Sequence, residues 1–244
     1  MDGQTDPGGA AGLDGRTVVV TGGTGGIGRA VAQAFAEAGA AVVVGARDAD
    51  AVEDVVGDLE DAGGTAAGLR TDVRDEFDVE RLVETASRFG ERGGIDVVVA
   101  AAGIYHGEAG QTPTDAESYT AFDDSWRTNA RGVFTTITEA IPHLTDGARV
   151  LVPTGAVARE AKPGYGAYAI SKAGAEAVVR GFAADTEYVV GCLEPGVLAT
   201  DLTGGAGRDP ESIAGRFVWA ATEADPDELD GEIVGLREWK TATR

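Results

Sequence analysis

Thr17-Val18-Val19-Val20-Thr21-Gly22-Gly23-Thr24-Gly25-Gly26-Ile27-Gly28 decides the fold of this chain. The β-branched run is apolar along its length, which reads as a strand buried on both faces. Ile27, Ala30, Val31, Ala34 and Phe35 then recur at helical spacing, and Gly39 ends that helix. Between strand and helix lie glycines, residues that let another group approach the backbone closely. The helix start adds free N–H groups and the positive end of its dipole, a combination suited to a pyrophosphate. A merely flexible glycine loop would not need a strand before it and a helix after it.

Working outward, the same alternation continues. Val42-Val43-Val44 is a strand, residues 49–62 a helix stopped by Gly63-Gly64, and Ala66 to Thr71 a third strand. Val79, Leu82, Val83, Ala86 and Phe89 mark a helix, and Val97-Val98-Val99 a fourth strand. A long helix is predicted from about Ser125 to Leu144, a strand at Val150-Leu151-Val152, and a helix from about Tyr168 to Ala184. Tyr188 to Leu193 is the sixth strand. A helix near Ser212–Thr222 and a short strand near Ile233–Leu236 close the chain, and Asp225-Pro226-Asp227 reads as a loop. The prediction is α/β: a single Rossmann-type domain over residues 13–244, doubly wound, with a parallel sheet of about seven strands and helices on both faces. Residues 1–12, polar and glycine-rich, read as a flexible tail.

The charge is unusual. The chain has a formal net charge of −21 over 244 residues, and only Lys162, Lys172 and Lys240 are lysine. Abundant acid with scarce lysine resembles the proteins of organisms that hold molar salt in the cell. At about 1 M salt the Debye length is about 3 Å, which screens such a surface from itself. A halophilic protein is the expectation, and nucleic acid is excluded as a partner. Cys192, the sole cysteine, rules out an internal disulfide and a thiolate zinc site, and no metal is expected. The N-terminus lacks the basic start and apolar stretch of a signal peptide, and no apolar run reaches membrane length. The expected location is cytoplasmic, away from membranes.

The spacing T-G-x-x-x-G-I-G resembles the short-chain dehydrogenase/reductase family, and the resemblance extends from about residue 14 to residue 236. Asp72-Val73 looks like the family's adenine-contacting pair, and Ala101-Ala102-Gly103 falls in its post-strand turn. Asn129 is similar to its helix asparagine, and Tyr168-Ala-Ile-Ser-Lys172 matches its Y-x-x-x-K. Pro195-Gly196-Val197 with Thr200 resembles the segment that closes over nicotinamide. The resemblance implies a cofactor cradle of Gly22, Thr24, Gly26, Ile27, Gly28, Asp72, Val73, Ala101, Ala102, Gly103, Tyr168, Lys172, Pro195, Gly196, Val197 and Thr200. It further implies pairing into a dimer or tetramer through the helices holding Asn129 and Tyr168.

The nucleotide is expected to be NADP(H). NAD-binding relatives end the second strand with an acid that holds the ribose 2′-hydroxyl. Here that position is Ala46, followed by Arg47, whose guanidinium suits a 2′-phosphate. Thr24 adds a hydroxyl, while Asp48 is an adjoining negative charge.

Reducing a carbonyl takes a hydride and a proton, and nicotinamide supplies only the hydride. The resemblance makes Tyr168 the general acid and Lys172, one helical turn on, the group that lowers its pKa and binds the nicotinamide ribose. Asn129 then holds a water that relays protons to Lys172. The family's carbonyl-holding serine lies at the end of the fifth strand, and counting back from Tyr168 reaches Gly155. Thr154 beside it has a hydroxyl but points to the opposite face of a regular strand; Pro153 makes an irregular end plausible. Thr154, a backbone group or water is therefore the expected substitute. Ala100-Ala101-Ala102-Gly103 replaces N-N-A-G, and Gly191 stands where the sixth strand usually has asparagine.

Two functions follow from this pattern. One is an NADP(H)-dependent oxidoreductase acting on a small-molecule carbonyl or alcohol. The other is a nucleotide-binding protein with little turnover, serving as a sensor or interaction partner. Tyr105, His106, Tyr165 and Trp219 are available to line a pocket, with Thr203–Asp209 as the substrate loop.

Overall fold

The computed structural model describes residues 12–243, so nearly all of the expected tail lies outside the described residues. Seven parallel strands form one sheet in the order β3-β2-β1-β4-β5-β6-β7. The strands are β1 (Thr17–Thr21), β2 (Ala41–Ala46), β3 (Thr65–Arg70), β4 (Ile95–Ala100), β5 (Leu144–Pro153), β6 (Val189–Leu193) and β7 (Ile233–Val234). Helices α1 (Gly26–Glu37), α2 (Ala49–Asp61), α3 (Glu76–Phe89), α4 (Tyr119–Ser125), α5 (Gly132–Ala140), α6 (Gly166–Asp185), α7 (Glu211–Thr222), α8 (Pro226–Leu229) and α9 (Leu236–Ala242) complete it.

Alternation along each buried strand divides the core between the two faces of the sheet. Val18, Val20, Val42, Val44, Leu151 and Leu193 pack with Phe35 of α1, Leu59 of α2 and Phe217 of α7. Val19, Val43, Val150, Val190 and Cys192 pack on the other side with Leu82 of α3, Ile137 of α5 and Val179 of α6. Aspartates start α2 and α3: Asp48 and Asp75 each accept two backbone N–H bonds at the helix N-terminus. Trp219, considered for a pocket, is only 9% exposed and belongs to the core beside α1.

Four expectations change. The long helix begins earlier, at Tyr119, where Ser118 caps it by accepting from Ala121 N–H at 3.1 Å. It then widens into a π-helical stretch at Trp126–Arg131 and ends at Ala140. Strand β5 starts at Leu144, because Leu144 pairs with Ile95 before the register shifts to Val97–Arg149. The Asp225-Pro226-Asp227 segment opens α8, with Asp225 capping by accepting from Asp227 N–H, and α9 follows β7 where no helix was anticipated.

The order of strands places the reversal between β1 and β4: the chain steps from β1 outward through β2 to β3, then returns to the far side of β1. At such a switch point the loops leave the strand ends in opposite directions and open a crevice. Nearly all the expected cofactor residues lie at or just beyond the carboxyl ends of these strands.

Candidate active site

The crevice is made by the absence of side chains. Gly22 has φ +69°, and a Cβ there would stand 2.6 Å from Ala102 Cα. A Cβ on Gly28 would run into the Gly22 carbonyl, so the first turn of α1 lies directly on the loop. Gly26 faces Thr200 across the crevice, 3.0 Å from an added Cβ to Thr200 Cγ2. Gly25, the residue before α1, supplies no side-chain cap, which leaves the helix start uncovered. Thr24 and Ile27 flank this start, half-buried.

At the end of β2, Ala46 is buried and Arg47 is exposed. Arg47, Asp48, Ala49, Asp50 and Arg70 line an open cleft of about 600 Å³. The Asp48 carboxylate is turned to the α2 N-terminus, accepting from Asp50 N–H at 3.1 Å and Ala51 N–H at 3.2 Å. Arg70 went unnoticed in the sequence. Strand register is the signal that finds it, since Arg70 is the β3 partner of Ala46. Its Nη1 is 2.9 Å from Asp78 Oδ2, which orients the side chain along the cleft wall.

Asp72 sits just past β3, and both its oxygens are taken by Arg74, whose Nη2 donates at 2.7 Å and Nε at 2.9 Å. The Arg74 hydrogen bonds hold the Asp72 carboxyl below the usual carboxylate range. Arg74 also reaches Asp124 at 2.6 Å, and Asp124 in turn meets His106 Nε2 at 2.9 Å. His106 is thus hydrogen-bonded to Asp124 rather than presented to a pocket. Val73 is buried in the core.

Tyr168 and Lys172 come together on α6 at the ends of β5 and β6. The Tyr105 ring packs 4.9 Å from Tyr168 at 57° and lies 6.2 Å from Tyr165. Tyr105 is fixed in turn by its hydroxyl, within hydrogen-bond distance of Thr112 Oγ1 (2.6 Å) and the Gly164 carbonyl (3.0 Å). Burial, with Tyr105 and Tyr165 alongside, pushes the Tyr168 phenol up to about 12. The sequence reading expected Lys172 to lower it. Instead, Lys172 Nζ donates to the Pro153 carbonyl at 2.6 Å, and burial lowers the pKa of Lys172 itself.

Asn129 is buried in the π-helical stretch. Its Oδ1 accepts from Ile104 N–H at 2.8 Å, and its Nδ2 donates to the Ile104 carbonyl (2.8 Å) and Ser171 Oγ (3.0 Å). The amide ties the turn after β4 to α6. π-Turns inside helices recur at functional sites.

Thr154 requires a correction. The strand keeps its alternation, and the Thr154 hydroxyl is buried, donating to Glu176 Oε1 at 2.6 Å. It therefore cannot stand in for the serine. Gly155 faces open space: an added Cβ would meet only Val157 Cγ1, at 3.8 Å. Beyond β6, Pro195 is buried while Val197 is 64% exposed. Thr200 closes a tight turn, its N–H donating to Thr203 Oγ1 at 3.0 Å. Among the described residues, no group of three or more His, Cys, Asp or Glu side chains is placed to hold a metal, and no helix is long and apolar enough to cross a membrane.

Comparison with known proteins identifies the family and the fold. The short chain dehydrogenase family profile matches residues 16–211. A versicolorin reductase of Emericella nidulans is 34% identical over 78% of this chain and 72% of its own. A glycine betaine reductase of the same organism is 34% identical over 82% of this chain, which spans only 16% of that much longer protein. The crystal structure of a short chain dehydrogenase from Burkholderia cenocepacia in complex with NADP superposes with a TM-score of 0.79, at 25% identity, covering 91% of this chain and 96% of that one. The chain belongs to the short-chain dehydrogenase/reductase family of oxidoreductases, and its single domain has that family's Rossmann fold.

The raised Tyr168 pKa has a sign that can be checked. An exposed tyrosine in the unfolded chain titrates near 10, whereas the folded phenol titrates at about 12. The native state keeps its proton where the unfolded state has lost it. The contribution to stability is therefore full below pH about 10 and disappears as pH rises through about 12. Ultraviolet titration of the protein and of Tyr168→Phe is expected to differ by one phenol ionising near 12; a difference centred near 10 would refute the assignment.

Proposed function

We propose that the protein is an NADP(H)-dependent oxidoreductase interconverting a ketone or aldehyde and an alcohol, with Tyr168 as proton donor. The observation that carries this reading is the pairing of a crevice bare of side chains at Gly22 and Gly28 with a half-buried tyrosine and lysine one turn apart on α6.

The residues present fit a phosphorylated dinucleotide. Gly22, Gly26 and Gly28 form a cradle with no room for a Cβ at Gly22 or Gly28, and the uncovered α1 start offers N–H groups to a pyrophosphate. Ala101 and Ala102 bound the cradle at Gly22, and Ile27 lies in the first turn of α1; Val73 and Asp72 are the further residues proposed for the nucleotide. Arg47 and Arg70 flank the cleft where a 2′-phosphate would be held, and Thr24 stands at the loop. The Asp48 carboxylate in the same cleft is turned to the α2 N-terminus, and Asp50 also lines it. Thr200 stands opposite Gly26, and Pro195, Gly196 and Val197 of the same segment are proposed to close over the nicotinamide.

Bound NADPH supplies the hydride in such a site. Tyr168, protonated across the physiological range, gives its hydroxyl proton to the oxygen of the reduced carbonyl. Lys172 would hold the ribose of the bound nucleotide and pass a proton toward Tyr168. The Asn129 amide is spent on Ile104 and Ser171, so any relay at this position runs through main-chain groups and water. With Thr154 turned inward and no side chain on Gly155, a water or backbone group orients the carbonyl. Losing one such donor costs about 2–4 kcal/mol of transition-state stabilisation, which slows the reaction without abolishing it. The alternative, nucleotide binding with little turnover, draws on the same gap at Gly155.

Pairing with a second copy is also proposed. Phe122, Trp126, Phe134 and Ile170 are exposed on α4, the π-helical stretch, α5 and α6, the elements that carry Asn129 and Tyr168. The acidic, lysine-poor surface suits a salt-rich cytoplasm.

Three outcomes are expected. By calorimetry, NADPH binds more tightly than NADH, and Arg47→Ala and Arg70→Ala each weaken NADPH about tenfold or more while leaving NADH unchanged; equal losses for both nucleotides would contradict the phosphate assignment. Gly155→Ser, which has space for its side chain, raises kcat/KM for a ketone by about tenfold or more; an unchanged value would show that another group already does this work. Sedimentation gives a dimer or tetramer for the parent chain and a smaller species for Phe134→Asp, and a monomeric parent would remove the pairing proposal.

A further inference from the structure

Glu176 is a buried carboxylate that the chemistry above leaves unused. It lies on α6, one helical turn beyond Lys172, and its side chain is 3% exposed. Its Oε1 accepts from Thr154 Oγ1 at 2.6 Å and from Arg159 Nη1. The other end of the Arg159 guanidinium binds Glu194, the residue that joins β6 to Pro195-Gly196. Arg216 Nη2 holds the Glu194 carbonyl from the other side of the sheet at 2.9 Å. One carboxylate thereby connects α6 with the ends of β5 and β6 and with the turn after β5, the segments that carry Lys172, Gly155 and Pro195.

The charges around it are mixed. Arg159 is shared between the Glu176 and Glu194 carboxylates, Arg216 and Arg180 are further cations beside Glu194 and Cys192, and Lys172 lies one turn back on the same face of α6. On a helix, side chains four apart lie on one face. The groups facing Lys172 are the neutral Pro153 carbonyl from β5, Tyr168 and Glu176 from α6, and Cys192 from β6, with Arg159 and Glu194 behind Glu176. Burial and the Glu176 charge push the Cys192 thiol up to about 12, and the Tyr168 phenol is also at about 12. Both are neutral below that range. Glu176 is then the carboxylate that shares the α6 face with Lys172, one helical turn on.

We propose that Glu176 is a positioning residue of the Tyr168–Lys172 centre, holding the ends of β5 and β6 against α6 and serving as the counter-charge of Lys172. Without it, a half-buried lysine whose pKa burial already lowers would give up its proton too readily to steady the nicotinamide ribose or recharge Tyr168. This rests on the role given to Lys172 above, but its test does not need turnover.

Lys162, Lys172 and Lys240 are the whole lysine complement, so the ammonium can be titrated directly by NMR of protein carrying 13C at lysine Cε. Lys162→Arg and Lys240→Arg assign the resonances. Glu176→Gln is expected to lower the Lys172 midpoint by about one pH unit, while Arg159→Gln, which leaves Glu176 uncompensated, raises it. If Glu176→Gln does not fold, the sign of the Arg159→Gln shift decides. An unmoved Lys172 midpoint in both variants, or a downward shift in Arg159→Gln, overturns the proposal even where thermal stability falls. Failure to reduce any carbonyl would refute the proposed function and leave this titration to stand on its own.

Discussion

Backbone lies against backbone where Gly22 meets Ala102, and the site depends on that approach. β1 and β4 run side by side in register, Thr21 opposite Ala100, and their loops then part. A side chain at Gly22 would push the two loops away from each other, and one at Gly28 would lift α1 off its loop. The cradle, the exposed start of α1 and its alignment with Thr200 all follow from keeping this point bare. The valine-rich strands on either side give the junction a rigid floor, filled on both faces.

Around this floor the charges are placed with opposite logic at the two ends. At the β2–β3 end, Arg47 and Arg70 border an open cleft together with Asp48 and Asp50, Arg70 being paired with Asp78 and Asp48 capping α2. The proposed 2′-phosphate site rests on these two guanidinium groups. At the β5–β6 end the groups are half-buried. The Tyr168 phenol is held protonated, and Lys172 is bonded to a carbonyl. Lower exposure to water strengthens charge interactions, which gives weight to the buried Glu176 carboxylate one turn from Lys172.

How much of this was readable followed from where the information resides. β-Branched triplets and glycine stops mark strands and turns locally, so β1, β2, β4 and the glycine loop were legible from residue type alone. The early start of α4 was not, because Tyr119 and Phe122 are exposed and give no buried stripe to recognise. The first half of β5, Leu144 to Gly147, is polar and held by a shifted register, a property of its partner strand rather than of its own sequence. At the site, Tyr168, Lys172 and Asn129 were legible as a pattern, but their partners were not. That Arg70 joins Arg47, that Thr154 bonds Glu176, and that Lys172 bonds Pro153 are contacts between residues far apart in the chain. The alternation rule did foresee that Thr154 would point away from Gly155; Pro153, which suggested an irregular end, sits in a strand that stays regular to its last residue.

The central claim is that this crevice and this tyrosine reduce a carbonyl despite the bare Gly155. The most direct measurement is NADPH oxidation by purified protein across a panel of ketones and aldehydes in concentrated KCl, with Tyr168→Phe run beside it. The account predicts turnover with at least one carbonyl, lost in Tyr168→Phe while NADPH binding is retained. Binding of NADPH with no turnover on any member of the panel, or turnover that survives Tyr168→Phe, would contradict it.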